Sequence, residues 1–161
     1  GKYYSGPLNS AEFDYLGYFI KAEPITSAPN KVYLTISKLK LDKIKSRIAI
    51  SFVDYKKQKN ILLLKRRLEY LSMLKIVKKG KNGHLLAGLA HNYQYVTDGF
   101  ECLKTLDGFI CHQLTNPRYG MSWQEQEKIK KISIYGNVKK RNIGKFSKKK
   151  VAQIMRIWKN V

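Results

Sequence analysis

Residues 37–74 read SKLKLDKIKSRIAISFVDYKKQKNILLLKRRLEYLSML, and the spacing of their apolar positions decides the fold class. Ser37 is a residue type that caps helix N-termini. Beyond it Leu41, Ile44, Ile48, Phe52 and Tyr55 recur at helical steps and share one stripe. Lys40, Lys43 and Arg47 fall on a different face, so this helix has an apolar side for packing and a basic side for another purpose. A second helix follows Asn60, burying Ile61, Leu64, Leu68 and Leu71 and presenting Lys65, Arg66 and Arg67.

Upstream, the period drops from 3.6 to two. Residues 12–22 are rich in Phe, Tyr and Ile and read as one strand, with Gly17 inside it; a glycine there marks a bulge or a close approach of another backbone. Residues 1–10, with Gly6 and Pro7, read as a loop or tail, and Pro24 and Pro29 punctuate a turn-rich link. Residues 32–37 alternate as a second strand, the hairpin partner of the first. Downstream, residues 79–83 (KGKNG) read as an exposed basic turn. A third helix starts at Asp98, with Leu103, Leu106 and Ile110 inward, and Pro117 and Gly120 break the chain. Ser122 and Glu125 have capping-box spacing before a helix that carries Ile129 and Ile132. A link around Gly136 and Gly144 leads to Ser147 and a last helix with Val151, Ile154 and Trp158 on one face. The expected fold is therefore α+β and mainly helical: a short antiparallel hairpin in residues 1–36, a helical body in 37–115, and a basic helical extension in 116–161.

Charge narrows the partner. The chain has 32 Lys and Arg against 11 Asp and Glu, a net of +21. That excess is segregated. Residues 38–81 hold 15 basic and 3 acidic side chains, and residues 128–159 hold 12 basic and none acidic, whereas 1–37 are neutral and 82–127 slightly acidic. Charge kept only for solubility would be spread; two basic blocks fit two contact surfaces for a polyanion, and nucleic acid is the expected one. Lys139, Lys140, Arg141, Lys148, Lys149 and Lys150 are the second block's candidate contacts. No lipidation signal or long apolar run supports a membrane surface. The lack of a signal peptide and the presence of two cysteines, Cys102 and Cys111, fit a reduced, cytoplasmic setting.

Several chemistries find no footing. The nine-residue Cys spacing, even with His84, His91 and His112, matches no zinc finger or ribbon, so no metal site is expected and the cysteines read as buried in helices. Residues 80–83 lack the spacing of a nucleotide-binding loop. Trp123 and Trp158 could stack on bases, but capping and core roles are the favoured reading.

The run Phe13-Asp14-Tyr15-Leu16-Gly17-Tyr18 resembles the primer-grip signature of reverse transcriptases from group II introns, retrons and antiviral systems. Residues 36–74, the LLAGLAHNYQYV stretch and the closing FSKKKVAQIMRIWKN look like the thumb of the antiviral, defence-associated branch. This resemblance implies a palm-edge hairpin and thumb of an RNA-directed DNA polymerase, a nucleotidyltransferase, with Phe13, Tyr15, Leu16, Gly17 and Tyr18 as the grip. Its partners would be an RNA template, a DNA product and a noncoding RNA. The family holds two magnesium ions on a Tyr-x-Asp-Asp loop and an upstream Asp. Here the aspartates, at 14, 42, 54, 98 and 107, are scattered and none are adjacent. The resemblance therefore implies that catalytic palm and fingers lie upstream, that Mg²⁺ binds there, and that this segment carries no catalytic residue and is inactive alone. The alternative is a free-standing basic RNA- or DNA-binding module without enzymatic activity.

Overall fold

Leu16 and Gly17 turn the chain back on itself. In the computed structural model, which describes residues 11–22, 32–80 and 83–159, the stretch expected as one strand is two: β1 (Glu12–Tyr15) and β2 (Tyr18–Ala22). Leu16 has φ 50° and Gly17 φ 89°, the paired left-handed angles of a type I′ hairpin turn. Gly17 is thus a turn residue and not a bulge. A two-residue turn flanked by aromatics on both sides leaves alternation unbroken, which is why the pattern reads as one strand. Strand β3 (Val32–Ile36) pairs antiparallel with β2, with Tyr18 opposite Ile36 and Ile20 opposite Leu34, giving the order β1-β2-β3. The expected loop at 1–10, the Pro24–Pro29 link and the Lys81-Asn82 tip lie outside the described residues.

The helices α1 (Lys38–Gln58) and α2 (Ile61–Ser72) follow. Ser37 has the extended backbone of an N-cap, yet its side chain makes no capping bond, whereas the Asn60 side chain accepts from the Leu63 N–H at 3.0 Å. Ile44, Ile48, Phe52 and Tyr55 are buried with Leu64, Leu68 and Leu71, and Leu41 is half-buried at their edge.

Next comes a hairpin of which the sequence announces only the tip. It comprises β4 (Lys75–Gly80) and β5 (Gly83–Ala87), with a register shift between Ile76 and Lys78. A short α3 (Leu89–Asn92) leads to α4 (Glu101–Thr115), where Leu103, Leu106 and Ile110 are buried as expected. Asp98 starts α4 by accepting from the Phe100 N–H at 2.8 Å, and it ties that start to β3 by accepting from the Thr35 hydroxyl at 2.6 Å.

The helix α5 (Trp123–Lys130) has the full Ser122–Glu125 capping box. Where a link was expected around Gly136, the chain forms α6 (Ile134–Lys139). The reason is tertiary: Asp107 on α4 accepts from the Ser133 hydroxyl (2.6 Å), the Ile134 N–H (2.5 Å) and the Tyr135 N–H (3.2 Å). The last elements are α7 (Lys148–Met155), capped by Ser147, and a 3-10 turn at Arg156–Trp158. Ile129, Ile132, Ile134, Val138, Ile154 and Trp158 join the α1–α2–α4 residues in one continuous core. The fold is α+β and mainly helical, with the small sheets at its margin.

Candidate nucleic-acid interface

The β1–β2 turn is seated on the start of α1. The Gly17 carbonyl accepts from the Ser37 N–H at 2.8 Å, so the turn is pinned to the helix N-cap. A Cβ on Gly17 would come within 2.8 Å of the Tyr93 hydroxyl and 3.0 Å of the Lys40 stem. The Tyr18 hydroxyl donates to the Asn92 carbonyl, and its ring meets Tyr93 edge-on at 5.1 Å. Burial raises the Tyr18 phenol above its ordinary pKa. Phe13, Tyr15 and Leu16 stay exposed; Leu16 is 80% accessible although its backbone is left-handed, a conformation a branched side chain resists. The structure thereby brings Gly17, Tyr18 and Lys40 together beside an exposed aliphatic and aromatic tip.

Along α1 the basic face divides. Lys40 and Lys43 are exposed. Arg47 is half-buried: its guanidinium lies over the Trp158 ring at 5.8 Å, and its carbonyl accepts from Trp158 Nε1 at 3.1 Å. The 3-10 turn at the end of the chain therefore covers the third member of the expected triad. On α2 the correction is larger. Arg67, expected to be presented outward, is 2% exposed and pairs with Asp54 at 2.6 Å. Its spacing from Leu64, Leu68 and Leu71 places it on the inward stripe, where the helical period outweighs the preference of a charge for solvent. Lys65 and Arg66 are half-buried, with Lys65 Nζ 3.8 Å from Glu69.

In the second block Lys139, Lys140 and Arg141 are exposed around the end of α6, with Arg141 donating to the Gln94 side chain at 2.8 Å. Lys148, Lys149 and Lys150 form the exposed first turn of α7. Trp158 is in the core, as expected; Trp123 is 72% exposed on the first residue of α5 and has no core role. Cys102 is buried, with its thiol pushed up by desolvation, but Cys111 is exposed on the outer face of α4. Among the described residues no three His, Cys, Asp or Glu side chains gather as a metal site.

Sequence alone does not reveal a cleft of about 750 Å³ between the end of α2, the start of β4 and residues 143–151. A backbone bridge ties its two stretches of sequence together: the Leu74 N–H donates to Asn142 O (2.9 Å) and the Gly144 N–H to Leu74 O (2.8 Å). Lys75 lies over the Tyr70 ring at 3.9 Å and donates to the Tyr70 carbonyl at 3.1 Å. Burial first, and then the charge of Arg47, lower its amine pKa to about 8. Tyr70 meets Phe146 edge-on at 5.1 Å and Trp158 at 6.2 Å, so three rings in a row run from Arg47 to Phe146. The signal that could have found Lys75 is the Ile76-Val77 start of a strand directly after α2; no local pattern marks Phe146.

Acidic groups are largely committed elsewhere. Asp54 pairs with Arg67, Asp98 and Asp107 cap helices, and Glu125 closes its capping box while accepting from the Tyr55 hydroxyl at 2.7 Å. Hydrogen bonds from Ser122 hold the Glu125 carboxyl below its ordinary range, and burial with the Glu125 contact pushes Tyr55 up to about 12. The exposed lysines thus face solvent as a largely uncompensated positive surface. Among the described residues no helix is long and apolar enough to cross a membrane. No family model, curated protein or solved structure matches the chain.

Proposed function

We propose that this chain is the template–primer-binding portion of an RNA-directed DNA polymerase, primer-grip hairpin plus thumb, of the antiviral defence type. The observation that carries the reading is the turn at Leu16-Gly17, pinned by its carbonyl to the N-cap of a basic helix and packed on the Lys40 stem. A strand terminus held at that turn would have its phosphates beside Lys40 and Lys43, and contacts to phosphate carry no sequence information. Sequence-tolerant grip is what a polymerase needs. The chemistry of nucleotide addition would belong to carboxylates and Mg²⁺ in a palm preceding this segment.

One observation favours a second reading, a free-standing nucleic-acid-binding module in the cytoplasm. The core closes on itself from Ile36 to Trp158 and leaves the chain equipped to fold alone.

Binding separates the readings. Anisotropy titrations of hybrid and duplex probes of unrelated sequence should give similar affinities that fall steeply with salt. Neutralising about five phosphates lowers affinity about 500-fold between roughly 50 and 200 mM salt. A flat salt response would sink both readings. The grip reading further requires tighter binding to a recessed 3′ end than to a blunt duplex, a preference that Leu16→Asn should remove while leaving the turn intact. Equal affinity for blunt and recessed ends would favour the free-standing module. Incorporation of deoxynucleotides by this chain with Mg²⁺ would overturn the assignment of catalysis elsewhere.

A further inference from the structure

The cleft beside Lys75 differs from the open basic surfaces. It is lined by the apolar Ile76, Val77 and Val151 and by the basic Lys75, Lys145 and Lys150, with no carboxylate among its described lining residues. Its volume of about 750 Å³ lies in the range of small-ligand sites and is too small for a duplex. Phe146 is fixed within it. Its ring packs edge-on against Tyr70, and it covers Gly144 so closely that a Cβ there would strike it. One face of Tyr70 is already taken by the Lys75 amine. The cleft thus offers a positioned ring in a lining that also carries three lysines and Ser147, the N-cap of α7.

We propose that this cleft takes a single unpaired nucleotide of the bound strand, its base against Phe146 and its phosphate among Lys75, Lys145 and Lys150. An anion is what these amines lack. Lys75 has only a ring and a carbonyl as partners, and with Arg47 close by its charge is held at a cost that a phosphate relieves. A base supplies a flat surface for Phe146 and for the apolar lining of Ile76, Val77 and Val151, and stacking is indifferent to which base it is. The inference rests on the nucleic-acid-binding reading and places the single-stranded part of the ligand at residues 143–151.

Calorimetric titration of the whole chain with adenosine 5′-monophosphate, inorganic phosphate and adenosine tests it. The monophosphate should bind more tightly than either part. Phe146→Leu should weaken the monophosphate about tenfold and leave inorganic phosphate unchanged, because a stacked base is lost. Lys145→Ala and Lys150→Ala, on exposed side chains that leave the fold intact, should weaken monophosphate and phosphate together. Duplex affinity should hardly change in Phe146→Leu. Duplex binding without monophosphate binding, or monophosphate binding indifferent to Phe146, would overturn the cleft assignment and leave the wider function standing. Monophosphate binding without duplex binding would support the cleft and overturn the wider function, and loss of both would overturn both.

Discussion

Burial treats two cations of this chain in opposite ways. Arg67 carries its charge into the core because Asp54 meets it at 2.6 Å, whereas Lys75 has a ring and a carbonyl in place of a carboxylate. The amine therefore titrates near 8 in the folded chain against an ordinary 10.5. Between those values the unfolded chain binds the extra proton, so stability from this residue rises with pH across the interval, and the full penalty applies below about 8. Burial of the amine is the larger cause and the charge of Arg47 the second, while Lys145, Lys150 and the Tyr70 phenol, itself raised by burial, are the other titratable groups around the cleft. Lys75→Met should accordingly stabilise the chain at pH 7 by roughly 1–3 kcal/mol, an advantage that shrinks toward zero as pH passes about 10.5. Urea denaturation of both proteins from pH 7 to 10.5 checks it; a constant difference across that range would mean that the amine is not desolvated. Arg67 reads outward by its charge, and its helical spacing from Leu64 and Leu71 together with Asp54 as a partner explains why it lies inside instead. For Lys75 the strand start at Ile76-Val77 is the one local signal, and it does not foretell that the distant residues 143–147 line the same cleft.

At the level of elements, period was informative wherever one helix buried one stripe. The helices α1, α2 and α4 follow from the spacing of Ile44, Ile48 and Phe52, of Leu64, Leu68 and Leu71, and of Leu103, Leu106 and Ile110. It failed where structure is made by a distant partner: α6 exists through Asp107, and Leu74, just ahead of β4, is held by Asn142 and Gly144. The candidate site shows the same division. Residues 13–18 and Lys40 could be named from sequence, but their meeting through Ser37 and Tyr93 could not. The α1 face gives a test of that geometry. Lys40→Ala with Lys43→Ala should leave stability almost unchanged, since exposed charges contribute little. It should also reduce the slope of log affinity against log salt by about 0.9 for each phosphate that is no longer neutralised. Arg47→Ala should behave differently, lowering the melting temperature because the guanidinium over the Trp158 ring is lost, although the Trp158 bond to the backbone carbonyl of residue 47 remains. Equal destabilisation by all three would mean that the face is not divided.

For the molecule as a whole, the C-terminal basic segment is part of the core and not an appendage to it. Ile154 and Trp158 are 0% and 4% exposed, and Asn142 and Gly144 hydrogen-bond to Leu74. A chain ending at Arg141 should therefore lose cooperative unfolding and bind a hydrophobic dye, even though α1 and α2 are intact in its sequence. Retention of a sharp transition, followed by near-ultraviolet circular dichroism, would show that the two helices and α4 suffice. The bond from Trp158 Nε1 to the Arg47 carbonyl spans 111 residues of chain. During synthesis at about 5–20 residues per second, α1 would leave the ribosome roughly 5–20 s before its cover is made. Through that interval the Ile48–Phe52 stripe can pack on α2, but the Arg47 edge of the helix stays uncovered beside its exposed lysines. On the proposed reading the nascent chain can thus meet a polyanion before its fold is closed, and holding it off until Trp158 arrives is a task for whatever receives the chain at the tunnel exit.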